Sequence, residues 1–152
     1  MITRRDVVVS LVTGCAVLLV AGAVRSQQPV MGSAVFDWNA IAAKPSKTGA
    51  TRSFFRSATP TLDELEIHAT TLDPGEAPHP PHQHPDEELV IVKEGTVEVL
   101  VNGKSSQVGP GSVVFQASNQ RHGIRNAGPG QATYFVVRWL SPPMKPCPAA
   151  LP

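Results

Sequence analysis

The chain has 152 residues, of which 41% are hydrophobic and 16% charged, and its formal net charge is +1. This length and balance indicate one globular domain. The near-neutral charge excludes the strongly basic surface that nucleic acids or anionic membranes require. The 15 Pro and 12 Gly are scattered between short apolar runs, so they predict turns between strands rather than disorder.

Residues 1–23 predict an export signal. Arg4 and Arg5 precede an apolar run over 7–20 that is followed by Ala21-Gly22-Ala23, which is the order of a secretory signal peptide. The adjacent Arg pair resembles the twin-arginine type of signal, which exports folded proteins. We therefore expect a periplasmic or secreted protein, with no stable membrane span after processing, because the apolar run is short for an anchor.

Two segments flank the predicted domain at residues 61–140. Residues 24–60 are expected to form an N-terminal arm or linker, in which 44–51 is a loop. Residues 141–152 are a Pro-rich tail with Cys147, the only cysteine that remains once the signal is removed. An intramolecular disulfide is then excluded, and Cys147 is expected to be a bystander thiol.

Short apolar runs separated by turn residues recur from Leu62 onwards. The predicted strands cover residues 65–72, 88–92, 96–101, 108–115, 122–126 and 132–139. Asn102-Gly103 predicts a tight hairpin, because both residues tolerate positive φ. Regularly spaced short strands, without an amphipathic helix pattern, predict an all-β sandwich or barrel.

Four residues combine into a candidate metal site. His82 and His84 are spaced i, i+2, so their side chains share one face of an extended strand. Glu88 follows after a turn, and His122 lies far along the chain. Imidazole and carboxylate ligands suit Mn, Fe, Ni, Cu or Zn. Three His and one Glu leave coordination positions open, as a catalytic or ligand-binding divalent metal needs.

The spacing around these residues resembles the first motif of the cupin superfamily, in its small single-domain form. The matching pattern is Gly75, then His82-x-His84-x-x-x-Glu88, then Gly95. The interval between Gly75 and His82 is one residue longer than usual. A His-x-His pair alone is a weak signal, because a single His is more often a surface or core residue.

The second cupin motif is also recognisable. Its matching residues are Gly111, Ala117, Asn119, His122 and Asn126. Pro usually stands where Ala117 is and Gly where Asn119 is, but Asn tolerates the left-handed backbone of that turn. The resemblance covers residues 62–139. It implies a double-stranded β-helix (jelly-roll-like) barrel with one metal held by His82, His84, Glu88 and His122.

Strand alternation predicts which side chains line the pocket. If Glu88 and His122 point inwards, so do residues two and four positions further on. The predicted substrate-binding residues are Val90, Val92, Ile124 and Asn126, with Phe115 as a further candidate. Arg138 on the last strand is expected either to pair with an anionic substrate or to be solvated. We expect His68 at the surface and His79 at the rim.

An apolar pocket with one metal accepts a small organic ligand. The first hypothesis is a metal-dependent enzyme with Glu88 as its acid–base group. Cupins with this ligand set include dioxygenases, isomerases, decarboxylases and ureidoglycine aminohydrolase-like proteins, and the run 71–103 looks most like the last group. The alternative is a non-catalytic exported module that binds a metal or small metabolite. Cupins often pair through barrel edges, so a homodimer is one possibility and the oligomeric state stays open.

Overall fold

A computed structural model describes residues 29–142. Within this range the chain forms a short 3-10 helix at Trp38–Ala40 and nine strands. The strands are β1 Lys44–Ser46, β2 Gly49–Ser57, β3 Glu64–Leu72, β4 Glu87–Glu94, β5 Val97–Val101, β6 Lys104–Val108, β7 Val113–Gln116, β8 His122–Asn126 and β9 Ala132–Leu140. The expectations for the export signal and for Cys147 fall outside the described residues.

The described strands form two antiparallel sheets. One has the order β1-β2-β3-β9-β4-β7, and the other has the order β6-β5-β8. The predicted all-β class is confirmed. Within residues 29–142, no helix is long and apolar enough to cross a bilayer.

The turns follow the residues that the sequence places there. Asn102 and Gly103 connect β5 to β6 with φ of 52° and 73°, and Val101 pairs with Lys104, so the predicted hairpin is confirmed. The run over 108–115, in which the sequence places a Gly109-Pro110-Gly111 turn, is divided at that turn between β6 and β7. Gly111, with φ of 83°, lies in the turn between them, where the left-handed backbone favours Gly.

The sheet begins earlier in the chain than the sequence indicates. The expected loop over residues 44–51 is wrong, because this range contains β1 and the start of β2. β2 pairs with β3 from Gly49 to Ser57. All three residues of β1 are exposed. An exposed edge strand has no apolar alternation, and for that reason the polar sequence of this segment resembled a loop.

The interior of the barrel changes from polar at one end to apolar at the other. Glu66, Arg138 and Glu88 occupy one row across β3, β9 and β4, and we call this end the mouth. Four residues further along these strands, the corresponding row is Thr70, Tyr134 and Val92. The buried hydrophobic cluster contains Leu72, Val90, Val92, Val97, Val99, Val114, Ala132, Tyr134 and Val136. We call the apolar end of this cluster, around Leu72 and Val97, the floor.

Candidate metal centre

Backbone pairing brings the two distant parts of the site together. His82 and His122 form an isolated antiparallel bridge, with N–O distances of 3.0 and 2.9 Å. The amide of Asn119 donates to the carbonyl oxygen of His84 at 2.7 Å. Asn119 has a φ of 58°, the left-handed conformation that was expected where cupins usually carry Gly. The turn before β8 therefore holds the His82–His84 segment in place.

The three imidazoles converge at the mouth. Ring centroids are 4.7 Å apart for His82 and His122, 4.8 Å for His84 and His122, and 5.2 Å for His82 and His84. One ring nitrogen from each of the three residues lies within 4.8 Å of the others. This three-His cluster can hold a metal ion.

Hydrogen bonds orient two of these rings. Nδ1 of His84 donates to the carbonyl oxygen of Asp86 at 3.1 Å, and Nδ1 of His122 donates to that of Gln120 at 2.8 Å. Because a carbonyl oxygen only accepts, both neutral rings carry their lone pair on Nε2. Within the described residues, His122 Nε2 and His82 Nδ1 are buried without a hydrogen-bond partner. A divalent metal would satisfy such nitrogens, so the residues fit the ion.

The electrostatic environment keeps His82 neutral. Burial lowers the pKa of His82 to about 4, and the neighbouring His79, His122 and His84 act in the same direction. A neutral imidazole offers a lone pair to a metal without first losing a proton. At neutral pH the His82 ring is therefore ready to bind a cation.

Glu88 lies beside the cluster. Its Oε2 is 3.6 Å from His84 Nε2, and its side chain is 14% exposed. Burial raises the pKa of Glu88, while His84 and Arg138 act against this shift. In the row of the sheet, Glu88 lies between Arg138 and Gln116. The carboxylate therefore lies beside the His84 ring, outside the group of three nitrogens that lie within 4.8 Å of one another, and its role as a fourth ligand is taken up below.

A cavity of about 290 Å³ opens in front of these residues. Besides the three-His cluster and Glu88, its wall includes Thr51, His68, Thr70, His79, Gln116, Ile124, Tyr134, Val136 and Arg138. Ile124 and Arg138 are thus among the residues that line the cavity. Val90 and Val92 point inwards as expected, but they lie beneath the cavity in the buried cluster and do not line it.

Phe115 does not point inwards. Its side chain is 50% exposed and stacks on Trp139, with ring centroids 6.4 Å apart. On β7 the buried positions are Val114 and Gln116, so alternation places Phe115 on the outer surface. The expectation that it lines the pocket is wrong, because pairing with β4 sets the register of β7, which the sequence pattern alone does not reveal.

Asn126 is fully buried and acts on the backbone. Its Nδ2 donates to the carbonyl oxygens of Leu72 and Gly130 at 3.0 and 2.7 Å. Its Oδ1 accepts from the amide of Gly128 at 2.9 Å. The inward orientation was expected, but these three bonds occupy the amide below the cavity. Asn126 connects the end of β3 to the turn between β8 and β9.

Arg138 is held between two carboxylates. Its Nη2 lies 2.6 Å from Glu66 Oε2, and its Nε lies 3.3 Å from Asp86 Oδ2. These two carboxylates neutralise the guanidinium at the mouth. Asp86 also accepts the hydrogen bond from His84 through its carbonyl oxygen, so Arg138 supports the loop that orients a metal-cluster residue.

His68 is the main residue of the cavity that the sequence did not reveal. It was expected at the surface, yet it points inwards from β3 and lines the cavity. Its Nδ1 is 3.0 Å from Glu66 Oε1. Alternation from Leu72 through Thr70 would have placed it on the inner face. His79 lies at the exposed rim, and its ring is 4.2 Å from that of His82.

Comparison with known proteins identifies the domain. Residues 68–138 match the family of the Cupin domain (Cupin_2). No curated protein matches the chain in sequence. The chain therefore contains a cupin domain, and the predicted cupin relationship and barrel fold are confirmed.

Solved structures share this fold. KdgF from Halomonas sp. superposes with a TM-score of 0.60 at 19% identity, covering 72% of this chain and 96% of its own. A predicted oxalate decarboxylase from Thermotoga maritima gives 0.56 at 20% identity, covering 70% and 99%. A sugar phosphate isomerase from Silicibacter pomeroyi gives 0.56 at 19% identity, covering 72% and 77%. At these identities the likeness shows the fold alone.

Proposed function

We propose that the protein is a metal-dependent enzyme that acts on a small organic substrate at a centre formed by His82, His84, His122 and Glu88. The observation that carries this proposal is the convergence of three ring nitrogens within 4.8 Å at the wall of a cavity that Glu88 also lines. A structural metal site closes its coordination shell with protein ligands, whereas an open cavity leaves room for a substrate.

The three histidines and Glu88 have different roles. His82, His84 and His122 would hold one divalent transition metal, with Glu88 as the fourth ligand. The ion would supply Lewis-acid polarisation of a substrate oxygen or, with a redox metal, a site for oxygen chemistry. In the metal-free protein, burial raises the pKa of Glu88. A carboxylate at the wall of the cavity can take part in proton transfer with a bound substrate.

The cavity favours a small substrate. Its volume of about 290 Å³ lies at the lower end of ligand pockets, which span roughly 300–1,000 Å³. Most residues on its wall have polar side chains, because Thr51, Thr70 and Gln116 join the histidines there. These features support an isomerase, decarboxylase, dioxygenase or ureidoglycine aminohydrolase-like activity on a compound of a few carbon atoms.

Metal analysis tests the ligand assignment. Elemental analysis of purified protein should give about one transition metal per chain. His82→Ala and His122→Ala should each lower this content sharply, because the remaining ligands bind too weakly. His79→Ala is the matched control, since His79 lies at the exposed rim and should leave the content unchanged. Near-full occupancy in both ligand variants would refute the centre.

Turnover separates an enzyme from a binding module. The metal-loaded protein should consume O2 or convert at least one compound in a panel of small hydroxy acids, ureides, catechols and sugars. Saturable binding without conversion of any compound would instead identify a non-catalytic exported module. The same panel run with His122→Ala shows whether any conversion depends on the metal.

Export is a separate part of the proposal. If the Arg4–Arg5 pair directs transport of the folded chain, the metal is loaded in the cytoplasm before export. Replacing both residues by Lys should then keep the protein inside the cell, as measured by fractionation. Unchanged export of this variant would contradict the twin-arginine route without affecting the metal centre.

A further inference from the structure

Among the described residues, the cavity contains one proton-transfer group that the metal centre does not use. Apart from the three-His cluster and Glu88, its titratable lining residues are His68, His79, Tyr134 and Arg138. Arg138 stays charged and is bound by Glu66 and Asp86. Burial raises the pKa of Tyr134, so its phenol keeps its proton.

The remaining two histidines differ in their surroundings. His79 is exposed at the rim and its Nδ1 lies 3.1 Å from the carbonyl oxygen of Pro80. His68 is inside the barrel, with 24% of its side chain exposed, and Glu66 Oε1 lies 3.0 Å from its Nδ1. An ionised carboxylate only accepts hydrogen bonds, so Nδ1 of His68 carries the hydrogen and Nε2 carries the lone pair.

His68 and Glu88 stand on different parts of the same wall. His68 pairs with Val136, and Val136 pairs with Val90, which is two residues after Glu88. The lateral separation of β3 and β4 is therefore two strand spacings, or roughly 10 Å. A small substrate that contacts the metal centre can reach both groups, because they line one cavity.

The charge at the mouth limits the kind of substrate. Arg138 is engaged by Glu66 and Asp86, and Arg56 lies 2.9 Å from Glu64. Among the described lining residues, the cationic side chain of Arg138 is thus already neutralised by Glu66 and Asp86. A phosphate or polycarboxylate would find acidic groups in its way, so a neutral oxygen-rich compound suits this side of the cavity.

We propose that His68, oriented by Glu66, is the second proton-transfer group of the site and serves the isomerisation of a small neutral α-hydroxycarbonyl compound. This inference rests on the proposed metal-dependent function. Nε2 of His68 accepts the proton of the C–H bond next to the carbonyl. The electron pair of that bond forms the new C=C bond, and the carbonyl pair moves to oxygen.

Return of the proton completes the reaction. His68 delivers it to the former carbonyl carbon while the hydroxyl proton of the neighbouring carbon passes to the other oxygen through Glu88. The carbonyl and hydroxyl groups exchange places, and no external oxidant or reductant takes part. Burial lowers the pKa of His68, while Glu66 acts to raise it and Arg138 to lower it, so the base form of His68 is populated at neutral pH.

Solvent exchange tests the reaction. The metal-loaded chain is incubated in D2O with dihydroxyacetone, glyceraldehyde or erythrulose, and carbon-bound deuterium is followed by NMR. Wild-type protein should introduce deuterium into at least one of them, and His68→Gln should slow this by about 10²–10⁴-fold. Full metal content in His68→Gln separates this loss from failure of the metal centre. Absence of exchange with metal-loaded wild type, or an unchanged rate in His68→Gln, would overturn the inference.

Titration tests the Glu66 contact without turnover. In metal-free protein, the ring-proton NMR signal of His68 should titrate at a lower pH in Glu66→Gln, because the variant loses the negative charge that raises the pKa. In the loaded protein, the acidic limb of the exchange rate, which the pKa of the base sets, should move in the same direction. Glu98→Gln, which changes an exposed carboxylate paired with Arg125, is the control. An unchanged His68 titration in Glu66→Gln would contradict the pairing.

Discussion

The mouth and the floor of the barrel are built from the same strands, yet they have different roles. At the floor, Leu72 and Val97 have no measurable exposure, and the interior consists of tightly packed aliphatic side chains. At the mouth, the same strands carry Glu66, Glu88 and Arg138 on their inner face. The floor gains stability from burial, whereas the mouth keeps polar groups poorly solvated for chemistry.

The difference shows where each region obtains its free energy. Polar atoms at the mouth, such as His122 Nε2 and His82 Nδ1, are buried without a partner among the described residues. Such atoms cost stability in the free protein and would recover it when a metal binds. The burial of apolar side chains at the floor offsets this loss of stability. The predictions below separate the contribution of the floor from that of the mouth.

The largest effect is expected at the floor. Leu72→Ala removes a fully buried side chain and leaves a cavity, so the free energy of unfolding should fall by about 2–5 kcal/mol. Metal content measured below the unfolding transition should stay at one per chain. Leu140→Ala, at a 38% exposed position, is the control and should change stability by less than about 1 kcal/mol. Equal losses of unfolding free energy in both variants would contradict the stabilising role of the floor.

A change at the mouth should act through the metal. At a free-metal concentration about 100 times the dissociation constant, binding stabilises the wild type by about 2.7 kcal/mol. His84→Ala should lose this metal-dependent gain in thermal unfolding. Compared without metal, variant and wild type should agree within about 1 kcal/mol. A large difference in the metal-free comparison would instead assign His84 a structural role.

Asn126 lies between the two regions and should behave as part of the floor. Asn126→Ala removes hydrogen bonds to Leu72, Gly128 and Gly130, leaving the buried carbonyl oxygen of Leu72 without this partner. We expect a loss of about 1–3 kcal/mol in denaturant unfolding. Metal content and the affinity for any identified substrate should not change. A weaker substrate affinity with unchanged stability would restore the pocket role that the sequence predicted.

The last expected effect is a pH dependence of the stability of the metal-free protein. The pKa of His82 is about 4 in the folded protein and 6.5 for the free side chain. Between these values the unfolded chain binds the additional proton, so the His82 contribution is present above about pH 6.5 and declines as the pH falls towards 4. Denaturant unfolding with a chelator present should show this slope, and His82→Gln should reduce it. An identical slope in the variant would contradict the assignment.

Much of the fold follows from local sequence. The Asn102-Gly103 hairpin and the strand at His122–Asn126 were predictable because turn residues and apolar runs act over a few neighbours. The grouping of His82, His84 and His122 was predictable from the motif spacing. The strands β1 and β2 were not, because polar residues at a sheet edge lack the alternation that marks a strand.

The sequence by itself determined the residue types of the site and the class of the fold. Only the tertiary structure decided which side chains share the cavity. Phe115 went to the outer surface because the register of β7 is set by its pairing with β4, and His68 came to the cavity because β3 pairs with β9 over its whole length. Strand register is a long-range property: a shift of one residue exchanges the two faces of a strand. The inner wall of this barrel therefore depends on pairings that no short stretch of sequence contains.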